Sequence, residues 1–210
     1  MKLATLANET QDGQLVVVSS DHKRCLPADA AAANLLDAMG RWSDVEADLK
    51  SLAERVEARD GGAQPFDAKA ALAPLPRSWQ WLDGSAFPQH GELMQKAFNM
   101  PPIETSNPLM YQGMSDRFYS GADDIPFRSE ADGIDFEGEY AVIVDEVPMG
   151  TSAIDAMGHI KLIIQLNDWS LRNFGPEEMK TGFGFVRAKP PCSVAPVAVT
   201  PDELGAAWVD

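Results

Sequence analysis

The chain has 210 residues, 45% of them hydrophobic, which is enough for one sizeable domain or two small ones. Lys and Arg total 17 against 32 Asp and Glu, so the formal net charge is −15; this excludes nucleic acid and anionic membrane surfaces as partners, because both require a basic face. No apolar run is long enough to cross a bilayer, Met1–Leu6 lacks a signal-peptide core, and Cys25 and Cys192 form neither a disulfide framework nor a zinc pattern, so a soluble cytoplasmic protein is expected.

Residues Lys2–Leu6 and Gln14–Val18 are apolar enough for strands, and Asp12-Gly13 between them is a hairpin-turn signal. From Ala28 to Arg59 the pattern is helical. Val45, Leu49, Leu52 and Val56 recur at spacings of four, three and four and form one apolar stripe. Ser43 with Glu46 predicts a capping box at the helix start, and Gly61-Gly62 a stop. The expected N-terminal domain is residues 1–62, with a proline-bearing linker over 63–77 and a second domain over 78–210.

After the linker, aromatic residues, Gly and Pro are frequent and the texture is loop-rich. Asp83 stands seven residues before His90, and a short helix is predicted over 92–99, ending before Pro101-Pro102. The stretch Ile134–Val144 follows, with a β-branched, apolar second half that predicts a strand. Side chains alternate along a strand, so Asp135, Glu137 and Glu139 are expected on one face, neighbours roughly 6.6 Å apart. Two carboxylates at that distance repel by about 2.5 kcal/mol at an effective dielectric near 20. Either water screens that face or a divalent cation neutralises it, and an all-oxygen set suits Mg²⁺, Ca²⁺ or Mn²⁺. Gly138, between the glutamates, marks a bulge or a close approach to the backbone.

Ser152 with Asp155 predicts a cap opening a short helix. The apolar run Ile160–Asp168 fits a buried strand or a helix end, its length and isoleucines favouring the strand, and its polar exit Asn167-Asp168-Trp169-Ser170 puts a carboxylate at the tip. Lys189 lies in an apolar, proline-stiffened loop with few charges nearby in sequence. Thr200-Pro201-Asp202-Glu203 announces a helix, yet the chain ends seven residues later at Asp210, so truncation of the C-terminal end is expected.

Three segments in this order, Asp83 with His90, Asp135-Phe136-Glu137-Gly138-Glu139, and Asn167-Asp168-Trp169-Ser170, resemble the fumarylacetoacetate hydrolase family in its bacterial branch. The resemblance covers roughly residues 74–202; residues 1–62 resemble the family's small N-terminal domain less specifically. It implies an α+β fold, with an N-terminal hairpin-plus-helix domain before a mostly β, roll-like catalytic domain that is incomplete at its C-terminal end. It implies metal ligands Asp83, Glu137, Glu139 and Asp168 for Mg²⁺ or Ca²⁺, leaving Asp135 as a flanking residue. By the same resemblance His90 is the general base, Lys189 holds the substrate and its developing charge, and Tyr111 and Ser85 occupy substrate-binding positions. A homodimer and a small 1,3-dioxo acid substrate, such as fumarylacetoacetate or an acylpyruvate, are further implications. The expected reaction is hydrolytic C–C cleavage: water activated by His90 attacks a carbonyl, and an enolate departs.

The sequence departs from the family at several points. Ser85 stands where the authentic fumarylacetoacetases have a tyrosine, and Asn99 takes the approximate place of an arginine, with Lys96 nearby. After Asp168 the family's glutamine and tyrosine give way to Gly175, Met179 and Lys180. These differences leave open a 2-oxo acid hydratase, decarboxylase or tautomerase on the same fold, or an inactive metal-binding fragment. In the family, the carboxylate that orients the histidine comes from beyond the point where this chain stops.

Overall fold

A computed structural model describes residues 1–59, 61–85, 87–99, 101 and 107–208. Pro102 and Asp210 lie outside them. Strands β1 (Lys2–Leu6), β2 (Gln14–Val18), β3 (Arg24–Pro27) and β4 (Gln64–Pro65) form an antiparallel meander. Gly13 makes the β1–β2 turn with φ +63°, and a Cβ there would meet Leu6 O at 2.6 Å, so the turn requires glycine. Helices α1 (Leu35–Gly40) and α2 (Trp42–Glu57) cover one face of this sheet. The predicted stripe is the reason: Val45, Leu49 and Val56 are buried and Leu52 packs against them.

The helical boundaries differ from expectation. Asn34, not Ser43, supplies the side-chain cap, accepting from the Asp37 amide at 2.8 Å at the start of α1. Helix α2 follows directly, with Arg41 as a capping residue that makes no side-chain cap bond. It ends at Glu57, before Gly61, because Arg59 turns left-handed at φ 58°.

Beyond the N-terminal sheet come β5 (Leu82–Ser85), α3 (Pro88–Phe98), β6 (Leu109–Gln112), β7 (Tyr119–Ser120), β8 (Ile134–Asp135) and β9 (Gly138–Val144). Then follow α4 (Ala153–Ala156), β10 (Ile160–Asn167), β11 (Ser170–Leu171), α5 (Gly175–Thr181), β12 (Ser193–Val194) and β13 (Ala198–Val199). The Ser152 cap is present, accepting from the Asp155 amide at 3.1 Å. After Thr200 the chain makes a 3₁₀ segment, Pro201–Ala207, but the Thr200 hydroxyl accepts from the Met1 amino group instead of capping it. No helix among the described residues is long and apolar enough to cross a membrane.

One nine-stranded sheet runs β4-β3-β2-β1-β13-β10-β12-β7, with β9 on the other edge of β10. The joint is β13, which pairs Val199 with Lys2 of β1 and with Ile163 of β10. The core is correspondingly continuous: Leu3, Leu15 and Val17 share a cluster with Leu35, Leu49, Leu162, Ile164, Leu166 and Val194. Each such side chain contributes roughly 1.5–3 kcal/mol through burial. Residues 63–77, expected as a linker, are packed into this body. They carry β4, bury Phe66, Ala71 and Ala73, and end at Arg77, whose guanidinium grips Asp12 through bonds of 2.7 and 2.9 Å. The architecture is α+β: a meander with its helices, joined to a mostly β region through shared strands.

Candidate metal centre

Strand β10 is the floor of the site. Its apolar residues bury on both faces, so it holds its position in the core while its polar end emerges at Asn167-Asp168. Strand β9 pairs antiparallel with it and sets Glu139 opposite Leu166 and Gly138 opposite Asn167. Glu139 therefore shares the inward face of β9 with Ala141 and the buried Ile143.

The acidic stretch is not one strand. β8 pairs with β11, β9 pairs with β10, and the chain steps between the two at Phe136-Glu137. The step is held by the Asn167 side-chain oxygen, which accepts from the Glu137 amide at 3.0 Å, and by the Asp168 amide, which donates to Glu137 O at 3.0 Å. Gly138 serves a close approach, since a Cβ there would lie 2.9 Å from the Phe136 ring. The expected common face of Asp135, Glu137 and Glu139 is thereby broken. Asp135 turns outward to Arg172 at 2.8 Å. Glu137 accepts from Ser170 at 2.7 Å, Arg172 at 2.6 Å and Lys189 at 2.8 Å.

A two-stranded antiparallel sheet missed by sequence reasoning, its strands separated in sequence by α3, brings in the remaining groups. β5 and β6 pair with Asp83 directly opposite Tyr111. Carboxylate oxygens of Asp83, Glu139 and Asp168 lie within 4.8 Å of one another, the group of described residues placed to hold a metal ion here. Asp168 is 1% exposed and accepts from Tyr111 Oη at 2.5 Å, Lys189 Nζ at 2.8 Å and Cys192 Sγ at 3.2 Å. Of the four expected ligands, then, three converge, while Glu137 sits beside them, linked to Asp168 through the shared Lys189 ammonium.

The electrostatics follow from this crowding. Burial, then the neighbouring Asp168, pushes the Asp83 carboxyl up to about 6. Burial, then the charges of Asp83, Asp168 and Glu137, pushes Glu139 up to about 7. Burial works to lower the Lys189 pKa, but Asp168 and Glu137 outweigh it and hold the ammonium protonated. The Tyr111 hydroxyl and the Cys192 thiol are both pushed up by burial and by Asp168, so both remain neutral donors.

Two other expected site residues, His90 and Ser85, stand on α3 and β5 and are not among the three grouped carboxylates. His90 lies inside the first turn of α3, not ahead of a helix; it is half-buried, and its ring makes no hydrogen bond to another described residue. Ser85 is exposed at the end of β5, on the same side of that strand as Asp83. Tyr111 is at the centre, with its ring 5.6 Å under Lys189 Nζ and 5.1 Å from the Phe185 ring in an edge-to-face contact. Arg172, Ser170, Asn167 and Cys192 were missed as site residues, although Asn167 and Ser170 flank Asp168 in a motif the sequence displays.

Comparison with known proteins adds the context. Residues 1–77 match the family described as fumarylacetoacetase N-terminal domain 2, and residues 80–210 match the fumarylacetoacetate hydrolase C-terminal domain. No functionally curated protein matches the sequence. The fold is similar to fumarylacetoacetate hydrolase from Exiguobacterium antarcticum, with 18% identity, a TM-score of 0.64, and coverage of 95% of this chain and 66% of that one. It is similar to maleylpyruvate hydrolase from Sphingobium sp. SYK-6, solved with manganese(II) and pyruvate, at 15% identity and a TM-score of 0.66, covering 98% of this chain and 69% of that one. A 5-carboxymethyl-2-hydroxymuconate delta-isomerase from Mycobacterium smegmatis is also similar, at 18% identity and a TM-score of 0.53, covering 96% and 68%. This chain thus spans about two thirds of the length of these structures. At such identities the likeness shows the fold, while the two sequence matches cover nearly every residue in the family's own domain order: the chain belongs to the fumarylacetoacetate hydrolase family.

Proposed function

We propose that this protein is a divalent-metal-dependent hydrolase that cleaves a C–C bond in a 1,3-dioxo acid such as an acylpyruvate. The observation that carries the reading is the convergence of Asp83, Glu139 and Asp168 beside one protonated lysine. The donor set fits a hard cation: all ligands are carboxylate oxygens, and burial together with their mutual repulsion raises Asp83 and Glu139. Mg²⁺, Ca²⁺ and Mn²⁺ all suit it, and the similar maleylpyruvate hydrolase was solved with manganese(II). When bound, the cation supplies Lewis acidity toward a substrate carbonyl.

The chain's own residues supply the rest. His90 accepts a proton from water, whose oxygen adds to the carbonyl carbon. The C–C bond then breaks, leaving a carboxylic acid on one fragment and an enolate on the other. Lys189 Nζ is a fixed positive donor for that enolate oxygen, because its two carboxylate partners keep it charged. Tyr111 and Phe185 form an aromatic wall on the same side. Cys192 and Tyr111 each donate to Asp168 and fix its orientation.

Two measurements test this. Calorimetric titration with Mn²⁺ is expected to give a tight site that Glu139→Gln weakens by about 10-fold or more, the scale of losing a partner of a metal centre; equal affinities overturn the ligand assignment. Mass analysis of products from an acylpyruvate with saturating Mn²⁺ is expected to show two acids. An intact carbon skeleton or released CO₂ overturns C–C hydrolysis and favours hydration, tautomerisation or decarboxylation.

A further inference from the structure

Glu177 and Glu178 are adjacent acids on α5 with opposite environments. Glu177 is solvated and pairs with Arg187 at 3.2 Å, whereas Glu178 is 8% exposed. The Glu178 carboxylate leaves the helix surface and accepts three consecutive backbone amides, Val186 at 3.0 Å, Arg187 at 2.9 Å and Ala188 at 3.1 Å. Consecutive N–H groups that point into one concavity are an anion-binding arrangement, and here the chain's own carboxylate fills it. The donors are the last three residues before Lys189.

Between them and α5 the Gly182 amide donates to Met179 O and the Phe183 amide to Thr181 Oγ1, both at 3.3 Å, while the Arg187 guanidinium reaches Glu178 at 3.4 Å and lies 4.4 Å over the Phe174 ring. Gly182 and Gly184 both adopt positive φ, at 73° and 94°, and Phe183 and Val186 are 95% and 77% exposed. Yet this loop touches the metal centre twice. Phe185 packs on Tyr111, whose hydroxyl donates to Asp168, and Lys189 bridges Glu137 and Asp168. On the far side the Leu171 amide donates to Ala188 O at 2.8 Å, so Ala188 is pinned between β11 and Glu178.

We infer that Glu178 is a positioning residue for the proposed reaction: its carboxylate, by gathering the Val186–Ala188 amides, fixes where Lys189 and Phe185 stand in the site. This assignment rests on the proposed function for its catalytic consequence, and on the hydrogen bonds alone for its structural one. A carboxylate is required because Glu178 Oε1 and Oε2 both accept backbone N–H bonds. Glutamine has nearly the same shape, but turns an NH₂ toward an amide that needs an acceptor.

The test compares wild type, Glu178→Gln and Glu178→Asp in the metal-saturated protein by two readouts. The first is the rate at which methyl acetimidate amidinates Lys189, read by mass spectrometry, with alkylation of Cys25 as control. Cys25 is buried at 0% exposure in the N-terminal sheet and is reached only when the whole body opens. Glu178→Gln is expected to raise Lys189 labelling about tenfold through local opening while Cys25 stays protected. Glu178→Asp, which keeps both acceptor oxygens, is expected to recover much of the protection. Unchanged Lys189 labelling, or Lys189 and Cys25 rising together, overturns the inference. The second readout is turnover of the dioxo acid: kcat is expected to fall about 10²-fold with KM changed much less, as for a displaced catalytic group. Loss in KM alone overturns the positioning role. If the wild type cleaves no dioxo acid, the proposed function fails, while the labelling result still decides the placement of Lys189.

Discussion

Lys189→Met removes the ammonium that joins Glu137 and Asp168 while keeping an unbranched side chain of similar length. In the protein Nζ is 2.8 Å from Glu137 Oε2 and 2.8 Å from Asp168 Oδ2, with Lys189 11% and Asp168 1% exposed. Each contact at that distance is an attraction of about 6 kcal/mol at an effective dielectric of 20, before the cost of desolvation. Removing one partner of such a buried pair typically costs about 3–5 kcal/mol, because the surviving charge stays buried. Glu137 retains Arg172 and Ser170, but Asp168 is left with two neutral donors, the Tyr111 hydroxyl and the Cys192 thiol. For a chain of this size the loss corresponds to roughly 6–20 °C in Tm. The assay is thermal or urea unfolding in chelator and again in saturating Mn²⁺. The expected gap is about 3–5 kcal/mol in chelator and smaller with the cation, which supplies positive charge to the same carboxylates. A gap below about 1 kcal/mol in chelator would refute the reasoning, since it would mean that the ammonium does not compensate Asp168.

The metal-free protein should lose stability as pH rises from about 4.5 to about 7. Asp83 and Glu139, lifted to about 6 and about 7, still hold protons there in the folded state when their unfolded counterparts, ordinarily at 3.8 and 4.5, have released them. Both groups are only partly buried, so after screening the combined change is about 1–2 kcal/mol, and a Tm that is flat or rising across that window counts against the crowded site. Leu162→Ala, at a fully buried position in β10, should cost about 2–5 kcal/mol in urea unfolding, whereas a loss under about 1 kcal/mol would show that β10 is not the shared core strand.

Local signals were legible where local physics decides. The apolar run of β10, the α2 stripe, the Asp12-Gly13 turn and the Ser152 cap each follow from spacing or backbone preference, and each is present. The β5–β6 pair was not legible: Leu-Asp-Gly-Ser and Leu-Met-Tyr-Gln carry neither alternation nor β-branched residues, and the two strands are separated in sequence by α3. The acidic stretch was half legible. Its residue types pointed to a cation, but strand periodicity could not foresee that Asn167 would substitute for a ladder partner and turn Glu137 toward Arg172 and Lys189. Those partners lie far along the chain, 52 residues in the case of Lys189, and only the tertiary fold brings them together. The prolines of 63–77 suggested a spacer, yet Phe66, Ala71 and Ala73 supply enough apolar surface to fasten it down.

The double pairing of Val199, with Lys2 on one side and Ile163 on the other, bears on how the protein is made. During synthesis β1, β2 and β3 can form their meander early, but the outer edge of β1 meets its partner only once residues 198–199 exist. Until then a strand edge with open hydrogen-bonding groups is available to any other extended chain. The same closure joins residues almost 200 positions apart, at the slow, high-contact-order end of folding, where exposed edges meet aggregation. Yield of folded protein should therefore respond to chaperone supply and growth temperature more than the compact N-terminal meander alone would suggest, and substitutions in β13 should reduce recovery of soluble chain before they alter chemistry at the carboxylates.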